Sequence, residues 1–257
     1  MDSTRFPGPD LQSATTEKAH SEGVAVCPRH GTPVQRHTFQ ALGLTLSHDS
    51  GCHGCENEAA EQGRREAQRC FEQAQTMAGI IARYRIAELE PFPSLAPGQD
   101  FVLDRAKAFV DTAGRGSTGL ILLGNLGTGK TYIACAILNN FLRRGFSGRY
   151  LTTMQAIRLV TETRQFKSQK TEQQVLGELC APHLLVLDEV SLQDGGDREF
   201  RIVTEIVSGR YDRRRPTILI DNVTVKEFTK LVGERVVDRF RAGGKVLPFD
   251  WPSLRHE

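Results

Sequence analysis

The chain has 257 residues, of which 39% are hydrophobic and 25% charged, with a formal net charge of +2. These proportions exclude collagen-like and wholly disordered chains, and the length suits one large α/β domain with a small appendage. No apolar run approaches the ~18 residues of a membrane helix, and the first ten residues lack the basic-then-apolar order of a secretory signal, so a cytoplasmic location without a membrane partner is expected.

Residues 1–24 carry few large apolar side chains and many Ser, Thr, Pro and Asp, and are expected to form a disordered tail. The stretch Cys27–Cys55 bears Cys and His but only a few apolar residues, too few for a core of its own. From Glu56 to about Leu89 the chain is rich in Glu, Gln, Ala and Arg, and Phe71, Ala74, Ala78 and Ile81 recur at helical spacing, predicting one long helix with a narrow apolar stripe. Residues 25–90 are therefore grouped as a metal-bearing module plus helix. Pro91, Pro93 and Pro97 mark 91–100 as a linker.

Beyond the linker, residues 101–257 alternate between helix and strand. Helices are expected near Phe101–Val110, Thr131–Arg143, from about Gln155, Glu172–Leu179 and Arg198–Tyr211. Strands are expected at Leu120–Leu123, Arg149–Thr152, Leu184–Leu187 and Thr217–Ile220. Short apolar strands alternating with helices predict an α/β fold with a parallel sheet covered on both faces.

After the first of these strands comes Gly124-Asn125-Leu126-Gly127-Thr128-Gly129-Lys130-Thr131, a full G-x4-G-K-T phosphate loop running into a helix. Its glycines let backbone N–H groups turn toward phosphate oxygens, and the helix N-terminus adds positive potential. Lys130 is expected at the β- and γ-phosphates of ATP or ADP, and Thr131 on Mg²⁺. The run Leu184-Leu-Val-Leu-Asp188-Glu189 places two carboxylates at a strand's C-terminal end, where parallel sheets bind ligands. Asp188 is assigned to the Mg²⁺ shell and Glu189 to general-base activation of water. Asn222, after the next strand, is a candidate to orient that water, the plain alternative being a turn asparagine.

The order of phosphate loop, Asp188-Glu189, Asn222 and Gly233-Glu-Arg-Val-Val-Asp-Arg239-Phe-Arg241, with Phe228-Thr-Lys-Leu-Val-Gly-Glu-Arg and a Trp251-Pro-Ser-Leu-Arg255 tail, resembles the AAA+ P-loop ATPases. Within them it is similar to the DnaC-type bacterial and phage helicase loaders, over about Phe101 to the C-terminus. The resemblance implies that Arg239 is an arginine finger for a neighbouring subunit and that Arg255 is a sensor contact to nucleotide. It further implies self-association in a helical or ring hexamer, with a DnaB-like replicative helicase and single-stranded DNA as partners. Only about 24 residues follow Gly233, too few for a separate helical lid, so this would be a reduced AAA+ core whose isolated monomer hydrolyses ATP slowly.

Cys27-Pro-Arg-His30 and Cys52-His-Gly-Cys55 form two C-x2-ligand pairs, a Cys₃His set suited to structural Zn²⁺. His37 and His53 compete for the fourth position, and unrelated thiols or a redox C-x-x-C are the plain alternatives. Some phage-type relatives of the loaders look similar in carrying such a knuckle. Cys135 and Cys180 read as small buried hydrophobes, and Cys70 carries no evident chemistry.

Between Arg143 and Lys170 lie seven basic residues and one acidic, and Arg210, Arg213, Arg214 and Arg215 form a second cluster. In helicase loaders an added helical element after the second strand faces single-stranded DNA. By that resemblance Phe166, with Arg164 and Lys167, is a candidate stacking and backbone contact. The bland alternative is a solvated basic face. Two other functions remain open: an IstB-like transposition accessory ATPase, and a non-hydrolysing adaptor using nucleotide as a switch.

Overall fold

The computed structural model describes residues 20–41, 44–49, 51–90, 92, 97–112, 118–164, 169–191 and 196–255. Two compact units divide between Arg69 and Cys70.

In the first unit, β1 (His20–Val26), β2 (Pro33–Ala41) and β3 (Leu44–Asp49) form an antiparallel sheet in the order β1-β2-β3. β1 begins inside the stretch whose composition reads as a tail, and residues 1–19 lie outside the described ones. The sheet is legible only weakly because its strands carry Gln, Arg, His and Thr at positions a buried strand would fill with aliphatics. Among the described residues its apolar cluster holds Cys27, Val34 and Cys52, with Ala25 and Cys55 at its edge.

Helix α1 spans His53–Met77 and contains the division between the units. The predicted helix ran on to Leu89; it stops because Gly79 takes a left-handed φ of 76°. There the Ile80 N–H reaches back to the Gln75 carbonyl at 3.1 Å, the six-residue closure of a Schellman end. The apolar stripe therefore ends on Ala78, and Ile80 is buried while Ile81 is exposed. A short 3-10 turn, Ala82–Tyr84, follows.

In the second unit, α2 (Gln99–Asp111) precedes β4 (Gly119–Gly124), α3 (Lys130–Arg143) and β5 (Gly148–Thr152). Next come α4 (Thr153–Glu162), α5 (Glu172–Cys180), β6 (Leu184–Asp188), α6 (Asp197–Asp212), β7 (Thr217–Asp221), α7 (Val225–Val232), α8 (Glu234–Gly243) and β8 (Gly244–Phe249). Thr152 with Gln155, Thr171 with Gln174 and Thr224 with Glu227 each close a capping box, which fixes where α4, α5 and α7 begin.

The five strands are parallel in the order β5-β6-β7-β4-β8. β8 was not expected from sequence, because Pro248 interrupts its pattern. As an edge strand it tolerates a residue without an N–H. One sheet face packs against α2, α3 and the segment Ala78–Phe92, the other against α4–α8. Ala78, Ile80, Ala87, Leu89 and Phe92 thus belong to the core of the second unit, although sequence grouped 25–90 apart and made 91–100 a linker. Among the described residues no helix is long and apolar enough to cross a membrane.

Candidate nucleotide and metal sites

β4 delivers the chain into the loop Gly124–Gly129, and α3 leaves from Lys130. Asn125 and Leu126 are exposed, while Thr128 and Lys130 are buried. The Lys130 ammonium donates to the carbonyls of Gly124 at 2.8 Å and Asn125 at 2.5 Å. Burial lowers its pKa, the carboxylates of Asp188 and Asp221 oppose that, and Arg255 adds to it, so all three charges lie within electrostatic reach of the loop.

Because β7 stands between β4 and β6, the ends of three strands converge beside the loop. Asp188, 8% exposed, closes β6. Its Oδ2 accepts from Thr131 Oγ1 at 3.0 Å and from the Tyr150 hydroxyl at 2.8 Å, and its Oδ1 from the Glu189 N–H at 2.9 Å. A hydroxyl and a carboxylate in contact at the start of the loop helix are the hard oxygen donors that Mg²⁺ takes. Glu189 is exposed and holds a left-handed φ of 56°, an uncommon backbone state for a residue with a side chain.

Asn222 follows β7 and is exposed; its N–H donates to Asp221 Oδ1 at 2.7 Å. Asp221 itself was missed by sequence reasoning, although β7 repeats the β6 pattern of an apolar run ending in Asp. It is 2% exposed and takes the Ser191 hydroxyl at 2.8 Å and the Ser191 N–H, so it anchors the segment after Glu189.

The tail after β8 lies along the loop. The Trp251 indole N–H donates to the Thr128 carbonyl at 3.0 Å and the Leu254 N–H to the Gly127 carbonyl at 2.9 Å. Gly127, with φ of 77°, has no room for a Cβ, which would collide with Ser253 Oγ. Arg255 is exposed at the end of this clasp. Arg239 lies on α8; its described contacts are the Arg235 carbonyl at 3.3 Å and the Tyr211 ring at 5.7 Å.

In the first unit Cys27, His30, Cys52 and Cys55 come together, with all ligand atoms within 4.8 Å of one another. His30 Nδ1 lies 3.7, 3.4 and 3.5 Å from the sulfurs of Cys27, Cys52 and Cys55, and the Cys27 and Cys55 sulfurs are 3.7 Å apart. A tetrahedron with Zn–S of ~2.3 Å and Zn–N of ~2.0–2.1 Å has edges of about 3.8 Å between sulfurs and about 3.6 Å from sulfur to nitrogen. Four of the six edges therefore match a zinc-sized tetrahedron, and the other two are no longer than 4.8 Å. Behind them, His30 Nε2 meets Glu58 Oε1 at 3.0 Å, leaving Nδ1 as the ligating atom. Of the competing ligands, His53 is exposed and paired with Glu56 at 3.6 Å, and the His37 side chain lies outside the described residues.

The basic segments are less uniform than their sequence suggests. Phe166 and Lys167 lie outside the described residues. Arg164 is exposed and pairs with Glu172 at 3.4 Å, Lys170 with Glu178 at 2.7 Å, and Arg143 with Glu88 at 2.7 Å. Arg210 is a correction: it belongs to no basic face. It is fully buried and donates to Thr217 Oγ1 and to the carbonyls of Leu179, Cys180, Pro182, His183 and Pro216. Cys135 and Cys180 are buried and Cys70 exposed.

A family model described as IstB-like ATP binding protein matches residues 58–248. The chain belongs to this family. It is 34% identical over 179 residues to the replicative helicase loader DnaC of Escherichia coli strain K12, covering 69% of this chain and 73% of that one. It is 31% identical over 204 residues to the DnaC of Buchnera aphidicola subsp. Schizaphis graminum, covering 76% and 83%. Among solved structures, the DnaC helicase loader superposes with a TM-score of 0.57 at 22% identity, over 65% of this chain and 99% of that one, and DnaI with 0.57 at 21%, over 68% and 94%. The AAA+ fold and an ATP-binding domain of this family follow from these matches together with the phosphate loop.

Proposed function

We propose that the chain is an ATP-dependent loader that binds a hexameric, DnaB-like replicative helicase and places it on single-stranded DNA. The observation that carries this reading is the joined pair of Thr131 and Asp188 beside the phosphate loop, in a chain matched to DnaC loaders over two thirds of its length. Loader relatives favour this function over an IstB-like transposition accessory ATPase. A non-hydrolysing switch has no use for a free carboxylate in the place of Glu189.

In this mechanism the loop N–H groups and Lys130 bind the phosphates, the ammonium exchanging its loop carbonyls for phosphate oxygens. Thr131 and Asp188 would hold Mg²⁺, which would supply positive charge to the phosphates as negative charge develops on them. Glu189 takes a proton from the attacking water, and Asn222, at the adjacent strand end, orients that water. Arg239, on α8, serves a neighbouring subunit's site, so hydrolysis by the lone chain is slow. Arg255 reaches the nucleotide from the tail clasp.

The Cys₃His cluster holds one structural Zn²⁺, with no position left open for catalysis. Its module and the exposed part of α1 dock the helicase, while Arg164, Phe166 and Lys167 contact single-stranded DNA. A replication role places the protein in the cytoplasm. Pull-down of the replicative helicase from the source cell, with and without residues 1–69, tests the docking. Cutting at 69 rather than 90 spares the core residues Ala78–Phe92. Equal capture by both chains would assign docking to the ATPase core.

A further inference from the structure

The phenol of Tyr150 points from the edge strand into the nucleotide site. We propose that Tyr150 is a positioning residue for the divalent cation, its hydroxyl fixing the Asp188 carboxylate in the one orientation that shares an oxygen with Thr131. The proposal deepens the nucleotide reading above and rests on it.

In the β5–β6 register Thr152 lies opposite Asp188, and Tyr150 opposite Val186. Tyr150 is two residues back along its strand, on the same face as Asp188, and the length of the ring closes the offset. An ionised carboxylate has about four lone-pair sites. Three of the Asp188 sites are taken, two on Oδ2 by Thr131 and Tyr150 and one on Oδ1 by the Glu189 N–H. Rotating the carboxylate would break all three bonds at once. Without the phenol, a single hydroxyl would define Oδ2, and that hydroxyl is itself assigned to the cation.

Tyr150 is buried, 4% exposed, and its hydroxyl donates to the Asp188 carboxylate. It is also held at the backbone. Its N–H donates to the Ala78 carbonyl at 2.7 Å, and its own carbonyl lies 2.8 Å from where a Cβ on Gly79 would sit. The end of α1 therefore sets where the ring stands, and the ring sets the carboxylate. Partners behind a metal ligand typically govern metal affinity by ~10–100-fold.

The test is Tyr150→Phe in the full chain, with binding of a fluorescent ATP analogue followed while Mg²⁺ is titrated and again in EDTA, and Mn²⁺ binding followed by electron paramagnetic resonance. The expected result is a Mg²⁺ half-saturation raised ~10-fold and a parallel loss in Mn²⁺ affinity, with nucleotide affinity in EDTA within twofold of wild type. In an Asp188→Asn background the same change should add nothing. An unchanged Mg²⁺ half-saturation, or an equal loss in EDTA, overturns the proposal. Should Tyr150→Phe fail to fold, 3-fluorotyrosine at position 150 keeps the ring and strengthens the donor. It must then move the Mg²⁺ half-saturation at least twofold without moving the metal-free affinity, and no movement overturns the proposal. A wild-type chain whose ATP affinity ignores Mg²⁺ would instead overturn the nucleotide reading and this proposal with it.

Discussion

Replacing Arg210 with Met should destabilise the ATPase unit severely while leaving the DNA-facing charge untouched. The guanidinium reaches six acceptors from a fully buried position, tying the last carbonyls of α5 and those just after it to the start of β7. Met approximates the stem but donates nothing. If water or small shifts satisfied all but two of the six acceptors, two orphans at ~1–3 kcal/mol each would still cost ~2–6 kcal/mol. Against a total stability of ~5–15 kcal/mol that is a large fraction. With a central loss of about 4 kcal/mol and an m-value of ~2 kcal/mol/M, the urea midpoint should fall by about 2 M at unchanged m. Arg210→Lys, which keeps the charge without the planar fork, should fall between the two. Urea unfolding followed by far-ultraviolet circular dichroism measures both. A midpoint shift below ~0.5 M for Arg210→Met would refute the reasoning, as would a folded variant whose single-strand binding had lost salt dependence.

Trp251→Phe, which keeps an aromatic but smaller ring and leaves the Thr128 carbonyl without its indole donor, should cost at least ~1–3 kcal/mol of stability and weaken nucleotide binding, read by thermal unfolding with and without ATP. Lys130→Ala should abolish ATP binding, whereas Glu189→Gln should keep binding and lose turnover, checked by equilibrium binding beside a phosphate-release assay. Arg239→Ala and Glu189→Gln chains, each inactive alone, should regain hydrolysis when mixed in the assembled state, and no regain would end the trans role for Arg239. Elemental analysis should find one zinc per chain. Without metal, hydrogen bonds from Thr32 and the Cys55 N–H pull Cys52 down to about 6, neighbouring thiols push Cys55 up to about 11, and Cys27 and Glu58 raise His30 to about 9. Binding at neutral pH must then displace protons from Cys55 and His30, so zinc uptake should acidify an unbuffered solution and be weaker at pH 6 than at pH 8.

What could be read from the sequence follows from how local the physics is. The phosphate loop is contiguous, and its glycine spacing is the site, so it was legible residue by residue. The Cys₃His set was legible because each pair spans one turn, yet the choice of His30 over His53 needed the distances and Glu58. Tyr150 and Asp188 meet across 38 residues, and nothing in either local pattern announces the other. Arg210 was misread for the same reason, since its charge is plain in the sequence and its six partners are not. Asp221 was within reach: β7 ends as β6 ends, and the repetition was the signal.

The placing of β7 also decides when the protein can become active. β4 pairs only with β7 and β8, and β6 only with β5 and β7, so without Thr217–Asp221 the sheet would fall into two unconnected pairs of strands. The phosphate loop and Asp188 would then sit on strands that share no ladder, with the packing of α3 on β5 and β6 left between them. On a ribosome the loop emerges nearly a hundred residues before the strand that joins it to its metal ligand. Such long-range closure is slow and leaves apolar edges exposed meanwhile. A nascent chain arrested before residue 217 should therefore be unable to retain ATP and should be a client for chaperones. Nucleotide capture would then report that the central strand has been inserted.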